Sequence, residues 1–322
     1  MYKEFYGLRD YPFNITPDPG YIVFNSQYKE LLARLHYSIE MAKGLTVLIG
    51  EVGTGKTTAL RWILRQMEST VLPVYIFNPC ISVDEFYHQL DETLKIGDWT
   101  NKSGLLMKLG KMLENRHNLG LRTVLIIDEA HQLSDRLLEE IRLLMNFESD
   151  SAKHLQIILS GQPELTDKLN QTHLRQLKQR ITLHCRLGAL ESVRQVDDYI
   201  TERLLLAGSV QPNVFSQDAI ELIFQCSEGI PRQINNLCDN AMLTAYEKNT
   251  WKIGREIVAD VARGLSLLRE KEPAAPVRNG LELNRENRFL TSAGIDQLLS
   301  ELDSKWRVPT ITDMPPDFRP SE

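Results

Sequence analysis

The sequence predicts an α/β fold, in which a parallel sheet with helices on both faces is followed by a smaller region built of helices only. Two observations carry this prediction. Short runs rich in aliphatic and β-branched residues alternate with long helical patterns as far as Arg186. Beyond Arg186 the β-rich runs stop, and helical patterns alone continue to about residue 268.

Five runs are predicted to be strands, and several are continuously apolar, which is typical of strands buried on both faces of a parallel sheet. They are Leu45–Ile49, Leu72–Phe77, Val124–Asp128, Leu155–Ser160 and Ile181–Arg186. Apolar residues at helical spacing predict helices around them. These helices cover Gln27–Lys43, a stretch containing Leu60, Ile63 and Leu64, and then Val83–Leu94, Ser103–Arg116, Asp135–Phe147 and Pro163–Leu177.

A glycine-rich sequence lies between the first predicted strand and the helix that follows it. It reads Gly50-Glu51-Val52-Gly53-Thr54-Gly55-Lys56-Thr57-Thr58 and has the G-x-x-x-x-G-K-[ST] spacing of a phosphate-binding loop. In such a loop, backbone N–H groups and the positive end of the helix dipole bind phosphate oxygens. We expect Lys56 to contact the β- and γ-phosphates and the Thr57 hydroxyl to bind Mg²⁺. The sequence therefore predicts a site for a nucleoside triphosphate.

Two adjacent carboxylates, Asp128 and Glu129, end a buried apolar strand about 70 residues after the loop. Open α/β sheets bind ligands at the carboxyl ends of their strands. We expect Asp128 to bind Mg²⁺ together with Thr57, and Glu129 to polarise the attacking water. The alternative for Glu129 is a surface acid that caps the next helix, although Ser134 already offers a cap there. His131 receives no catalytic role, because neutral, hydrogen-bonded histidines are common.

Composition and charge restrict the classes of protein that fit. Of 322 residues, 42% are hydrophobic and 25% charged, as in ordinary globular proteins, and 37 basic against 43 acidic residues give a formal charge of −6. A net negative charge gives the protein no overall electrostatic attraction for nucleic acid, although a local basic groove is compatible with it. Four widely spaced cysteines predict free thiols in a reducing compartment. Without a signal peptide or an apolar run of ~20 residues, a cytoplasmic location is predicted.

Composition also predicts four segments. Residues 1–25 are rich in aromatic residues and prolines, and we expect them to be stiff, non-helical and packed on the core near the nucleotide base. The α/β domain covers residues 26–188. A helical lid domain covers 189–268, with helices predicted over Ser192–Leu206, Ser216–Ser227, Pro231–Lys248 and Ile253–Leu268. Residues 269–322 are predicted to be mostly disordered, with a short amphipathic helix near 292–306.

Further motifs accompany the phosphate loop and the Ile127-Asp128-Glu129-Ala130-His131 sequence. They are Phe5-Tyr6-Gly7-Leu8, Tyr11-Pro12-Phe13, Thr16-Pro17-Asp18-Pro19, Ser160-Gly161-Gln162-Pro163-Glu164-Leu165 and Gly229-Ile230-Pro231-Arg232-Gln233-Ile234-Asn235. Over about residues 1–268 the chain therefore resembles the AAA+ ATPases, and within them the ExeA/GspA-like secretion ATPases and the related TnsC/TniB transposition ATPases. The resemblance implies a P-loop NTPase fold of the AAA+ type, with ATP and Mg²⁺ as cofactors. A guanine-specific N-K-x-D motif is absent from the sequence.

The resemblance implies roles for three further residues. Gln162 is similar to the sensor-1 residue that reads the γ-phosphate through a water, although a turn residue before Pro163 is the alternative. Arg232 is similar to the sensor-2 arginine of the lid, and an exposed helix arginine is its alternative. Arg180 precedes the fifth strand, where AAA+ proteins place a trans-acting arginine finger, with Arg175 as the fallback. A finger implies self-association in a ring or filament, whereas an ordinary solvated helix face would also explain both arginines.

Two functions from different classes follow from the resemblance. The first is an ATP-hydrolysing motor for secretion, pilus or exopolysaccharide-type envelope assembly. Its partner would dock on the amphipathic segment Ile295–Trp306, which could instead pack back on its own domain. Family members often continue into a transmembrane helix and a peptidoglycan-binding domain, but this sequence ends at Glu322. We therefore expect no direct membrane insertion, and a cytoplasmic protein that is peripheral at the inner membrane through a partner.

The second function is a DNA-associated transposition regulator of the TnsC/TniB kind, in which ATP acts as an assembly switch. It requires lysines that converge on a groove, with Lys102, Lys108, Lys111 and Lys153 as candidates. A nucleotide-sensing switch of the STAND type is less attractive, because the sequence has no room for a large repeat sensor.

Overall fold

A computed structural model describes residues 2–14, 16, 18–67, 70–97, 99–149 and 152–267. Its centre is one five-stranded parallel sheet with the strand order β2-β3-β4-β1-β5. The strands are β1 Leu45–Gly50, β2 Val71–Ile76, β3 Arg122–Ile127, β4 Gln156–Gly161 and β5 Ile181–Leu187. The predicted α/β class is confirmed, and each strand lies within two residues of its predicted bounds.

Twelve α-helices accompany the sheet in the described part of the chain. Those before and between the strands are α1 Tyr2–Phe5, α2 Ser26–Glu40, α3 Lys56–Gln66, α4 Val83–Leu94, α5 Lys102–Asn118, α6 Asp135–Leu144, α7 Glu164–Leu169 and α8 Arg175–Lys178. Those after the last strand are α9 Val193–Leu206, α10 Gln217–Ser227, α11 Pro231–Glu247 and α12 Arg255–Gly264. None of these helices is both long and apolar enough to cross a membrane.

The three-layer arrangement follows from which residues each strand buries on each face. On one face, Leu48 and its neighbours pack with α2 and α3, and on the other face Val47 and its neighbours pack with α4, α5 and α6. Strand β4 is buried throughout, and β1 and β3 are each buried except at one residue, Ile49 and Arg122 respectively. The edge strand β5 alternates between exposed and buried residues, because only one of its faces is covered.

Side-chain caps explain why several helices begin where they do. The side chains of Asn25, Ser82, Asn101, Ser134 and Ser192 each accept a hydrogen bond from a backbone N–H in the first turn of the following helix. Ser82 forms a full capping box with Glu85. These caps satisfy backbone donors that have no partner within the helix.

The predicted helix Pro163–Leu177 is wrong as a single element. The chain forms α7, a 3-10 turn over Thr172–Leu174, and then α8. Polar residues around Asn170 end the first helix. Leu174 and Leu177 follow, and both are buried in the hydrophobic cluster that includes residues of the sheet. Hydrophobic spacing alone reads through this interruption, because Leu165, Leu169, Leu174 and Leu177 are all buried.

The N-terminal segment also differs from its prediction, because it begins with helix α1 and contains a 3-10 turn over Pro19–Tyr21. Its prolines start only at Pro12, so residues before it are free to form a helical turn. Its apolar residues join the hydrophobic cluster of the helices after β5, namely Tyr2, Tyr6, Leu8, Phe13 and Val23. The segment thus packs on the helical part, while the stretch near residues 14–23 reaches the cavity described below.

Gly229 occupies the turn that leads into α11. Its φ is +73°, and a Cβ there would lie 2.0 Å from the carbonyl oxygen of Leu190. The two backbones are this close because the Leu190 N–H donates a hydrogen bond to the Gly229 carbonyl at 2.8 Å. We expect Gly229→Ala to lower the free energy of unfolding by roughly 2–4 kcal/mol, from a left-handed backbone and a steric clash together. Urea unfolding measures this change.

Gly264→Ala is the matched control for that substitution, because a Cβ at Gly264 in α12 meets no atom within 4 Å. It is expected to be neutral or slightly stabilising. Equal stability of the two variants would contradict the assigned role of Gly229.

The predicted segment 269–322, with its helix near 292–306, lies outside the described residues.

Candidate nucleotide-binding site

The glycine-rich sequence forms a tight loop between β1 and α3, at the carboxyl edge of the sheet. Glycine is required at two points of close approach. A Cβ at Gly50 would lie 2.4 Å from the Leu187 carbonyl oxygen, and one at Gly53 would lie 2.6 Å from the Cβ of Arg232. Gly53 also has a φ of +81°, in the left-handed region. The loop is therefore held between β5 and the start of α11.

Lys56 is the first residue of α3, and its side chain folds back over the loop. Its Nζ donates to the carbonyl oxygens of Gly50 at 2.7 Å and Glu51 at 2.9 Å. Burial lowers the pKa of Lys56, and the negative charges of Glu129 and Asp128 oppose that shift. An ammonium group held inside a loop of this kind can bind phosphate oxygens.

Asp128 follows β3 directly and contacts Thr57 across the site. Its Oδ2 accepts hydrogen bonds from Thr57 Oγ1 at 2.6 Å and from Tyr75 Oη at 3.1 Å, while Oδ1 accepts from the Glu129 N–H at 3.1 Å. Burial, with the Asp128 charge next, raises the pKa of Tyr75, so its hydroxyl stays neutral and donates. A hydroxyl and a carboxylate oxygen this close fit the oxygen ligands that Mg²⁺ prefers.

Glu129 turns sharply away from the strand, with a φ of +51° in the left-handed region. Its Oε2 accepts a hydrogen bond from Gln162 Nε2 at 3.2 Å and lies 3.4 Å from His131 Nδ1. The Gln162 nitrogen also lies 3.2 Å from His131 Nε2. Gln162, predicted to read the γ-phosphate, thus contacts the carboxylate predicted to polarise water. A non-glycine residue in this conformation is frequent at functional sites.

A cavity of about 500 Å³ opens beside the loop. Its lining includes the loop from Val52 to Thr58, the N-terminal segment, and residues of α9 and α11, and Glu129 and residues at the end of β5 also contribute. Arg232 is exposed at this opening, and its backbone N–H donates to the Gly53 carbonyl at 3.2 Å. Arg232 therefore lies beside the phosphate loop, and its sensor-2 role stays a prediction.

Arg180 lies elsewhere. It precedes Ile181, which pairs with Leu45 at the start of β1, whereas the phosphate loop follows the end of β1. One strand of this length separates the two by about 15–20 Å. The Arg180 guanidinium donates to Asn146 Oδ1 at 2.8 Å. Arg175 is exposed and is the first residue of α8, the short helix that precedes Arg180. Neither arginine belongs to the nucleotide site of its own chain.

Two of the four lysines considered for DNA binding are engaged in ion pairs. Lys102 contacts Glu140 at 2.6 Å, and Lys153 pairs with Glu148. These carboxylates neutralise charge that a phosphate backbone would need. The placement weakens the case for a basic groove on these residues.

Sequence reasoning missed several residues that the fold brings to the site. Tyr75 contacts Asp128, and the Tyr28 hydroxyl donates to the Gly55 carbonyl at 3.3 Å. Tyr199, Arg203 and Asn235 also line the cavity. One signal was available: Tyr199 and Arg203 stand four residues apart on α9, so a charged group shares the buried face of that helix.

Comparisons with known proteins agree with this site. Residues 39–169 match the family described as AAA domain. The chain is 38% identical over 281 residues, 84% of its length, to General secretion pathway protein A from Aeromonas hydrophila, of which it covers 50%. It is also 31% identical over 129 residues, 40% of its length, to the ATP-dependent target DNA activator B of Escherichia phage Mu, of which it covers 39%. The chain thus spans half or less of the length of each of these relatives.

A solved structure, Cdc6p from Pyrobaculum aerophilum, shares the fold with a TM-score of 0.60 at 17% identity, covering 79% of this chain and 70% of the other. This likeness supports the architecture alone. The assignment to a family rests instead on the AAA domain match and on the 38% identity over most of the chain. Residues 39–169 form an AAA domain, and over most of its length the chain is related to General secretion pathway protein A.

Proposed function

We propose that the protein binds and hydrolyses ATP in a Mg²⁺-dependent reaction, acts as an oligomer, and powers or regulates an envelope-assembly system of the secretion type. The observation that carries the proposal is the meeting of Lys56, Thr57, Asp128 and Glu129 at one edge of the sheet. The 38% identity to General secretion pathway protein A supports the direction of the assignment.

Each residue has a defined part in the proposed reaction. The loop N–H groups and Lys56 bind the β- and γ-phosphates and offset their charge. Thr57 and Asp128 hold Mg²⁺, which when bound neutralises charge on the phosphate oxygens. Glu129 accepts a hydrogen bond from water and orients it in line with the γ-phosphorus. Gln162, already within reach of Glu129, contacts the same water and phosphate region.

Oligomerisation completes the proposed site. Arg180 lies at the opposite end of the strands from the loop, too far away to reach the nucleotide of its own chain, and in this proposal it serves the nucleotide of a neighbouring copy. A ring or filament brings it there, and the helical part acts as a lid whose Arg232 already meets the loop. We also propose a cytoplasmic location, peripheral at the inner membrane through an assembly partner, which the segment near 292–306 would contact.

A DNA-associated regulator is the second candidate, and the 31% identity to the phage Mu activator over 129 residues favours it. Phosphate release by the wild-type protein, with and without double-stranded DNA across a salt series, separates the two. The envelope-assembly proposal predicts hydrolysis that is indifferent to DNA. Stimulation by DNA, or ATP-dependent DNA binding that weakens steeply with salt, would establish the second candidate instead. Absence of hydrolysis under every condition would overturn the ATPase itself.

A further inference from the structure

The cavity beside the phosphate loop contains a buried polar network that the proposed reaction does not use. It consists of Tyr199 and Arg203 on α9 and Asn235 on α11, all of which line the cavity. Arg203 and Asn235 are each 7% exposed. Polar groups this deeply buried usually have hydrogen-bond partners, so a donor in this network that lacks a protein partner is available to a ligand.

The hydrogen-bond directions in this network follow from the chemistry of the guanidinium. Arg203 Nη1 lies 3.0 Å from the Tyr199 hydroxyl, and a guanidinium can only donate, so the hydroxyl oxygen accepts. The hydroxyl hydrogen is then directed to Asn235 at 3.0 Å, which requires the amide oxygen Oδ1 at that position. Burial raises the pKa of Tyr199, which keeps this hydroxyl neutral. The NH₂ group of Asn235 is consequently the part left for the cavity.

Arg203 also keeps donors for the cavity. Its Nε donates to the Pro12 carbonyl at 2.6 Å, and the guanidinium lies over the rings of Tyr21 at 5.3 Å and Tyr199 at 5.6 Å. Among the described residues it forms no ion pair with a carboxylate. A buried charge that is balanced only by neutral oxygens and aromatic faces is stabilised further by a ligand that accepts hydrogen bonds.

The position of this network relative to the phosphate loop identifies what it meets. The start of α11 is fixed to the loop by the hydrogen bond from Arg232 to Gly53. Asn235 follows three residues later on the same side of the helix, about 4.5 Å further along its axis. Asn235 and Arg203 line the cavity that adjoins the loop, and this cavity is the space open to the nucleoside of a triphosphate held there.

We propose that Arg203 and Asn235 are specificity-determining residues that donate hydrogen bonds to acceptor atoms of the nucleoside portion of the bound triphosphate. This inference rests on the proposed function, since it needs the phosphates to occupy the loop. Lys56 and the loop bind the phosphates, and the two donors from α9 and α11 select ligands that carry a nucleoside.

Calorimetric titration with MgATP and with inorganic tripolyphosphate tests the inference without any measurement of hydrolysis. Tripolyphosphate has no nucleoside and uses only the phosphate-binding groups, so its binding also reports that a variant is folded. For Asn235→Ala we expect ATP affinity to fall about fivefold to tenfold, as for one lost hydrogen bond. Tripolyphosphate affinity should stay within about twofold of wild type, because the loop is unchanged.

Arg203→Lys provides a second variant, which retains the charge but loses the fork of donors, and it should show the same selectivity for ATP over tripolyphosphate. Asn240→Ala is the matched control, since Asn240 lies exposed on the same helix and, in the described part of the chain, its side chain donates to the Asn236 carbonyl one turn away. It should change neither affinity.

Unchanged ATP affinity in Asn235→Ala, or equal losses for the two ligands, would overturn the inference. Equal affinity of the wild-type protein for ATP and tripolyphosphate would overturn it too, because the nucleoside would then contribute nothing. If the wild-type protein binds neither ligand, the proposed nucleotide site fails, and this inference fails with it. The two failures are therefore distinguishable.

Discussion

Glu129→Gln is expected to lower the rate of ATP hydrolysis by about 10²–10⁴-fold while leaving ATP binding close to wild type. The amide keeps the size of the carboxylate and can still accept from Gln162, but it cannot take the proton of the attacking water. The phosphate loop, Lys56 and Asp128 are untouched by the change. Phosphate release measures the first effect, and titration with MgATP measures the second.

Glu92→Gln is a matched control, because Glu92 is an exposed glutamate on α4 rather than at the carboxyl edge of the sheet. It should hydrolyse ATP at the wild-type rate. If Glu129→Gln retained full hydrolysis, Glu129 would not be the base, and a surface acid beside the turn would be the correct description. If it lost ATP binding as well, its role would be to shape the site.

Arg180→Ala is expected to lower hydrolysis by roughly 10³-fold or more without weakening ATP binding, because an arginine finger acts on the transition state. Arg175→Ala should have little effect, since Arg175 is exposed and lies on the preceding short helix. Phosphate release by the two purified variants, at equal concentrations, makes the comparison. The reverse pattern would transfer the finger to Arg175, and wild-type rates in both would leave the two arginines as a solvated helix face.

Stability needs to be checked for the Arg180 variant, because its guanidinium bonds Asn146 at 2.8 Å. This contact is exposed, so its loss should cost about 1 kcal/mol or less. Unfolding in urea therefore separates a folding defect from a catalytic one. A large loss of stability would assign Arg180 a structural role in joining α8 to the end of α6.

The parts of the fold that sequence predicted best are those with strong local signals. The strands β3 and β4 are apolar runs with clear ends, and the phosphate loop has a spacing that its backbone geometry demands. The break in the helix before Arg175 was missed, because buried leucines continue across it at nearly helical spacing. Helix α1 was missed because prolines further along dominated the composition of the segment.

The site shows the same division between local and tertiary information. Thr57 and Asp128 each belong to a recognisable motif, so their contact could be predicted. The hydroxyl of Tyr75 reaches Asp128 only because β2 and β3 pair in a register that places Tyr75 beside Ile126. The network of Arg203 and Asn235 depends on how α9, α11 and the N-terminal segment pack together, which no short motif encodes.

The central claim is that one copy completes the active site of another, and mixing two inactive variants tests it most directly. Subunits with Glu129→Gln still carry Arg180, and subunits with Arg180→Ala still carry Glu129. In a randomly mixed assembly of equal parts, roughly a quarter of the interfaces join an intact Glu129 to an intact Arg180. The account predicts that phosphate release returns to about that fraction of wild type on mixing. A mixture as inactive as its two components would contradict it.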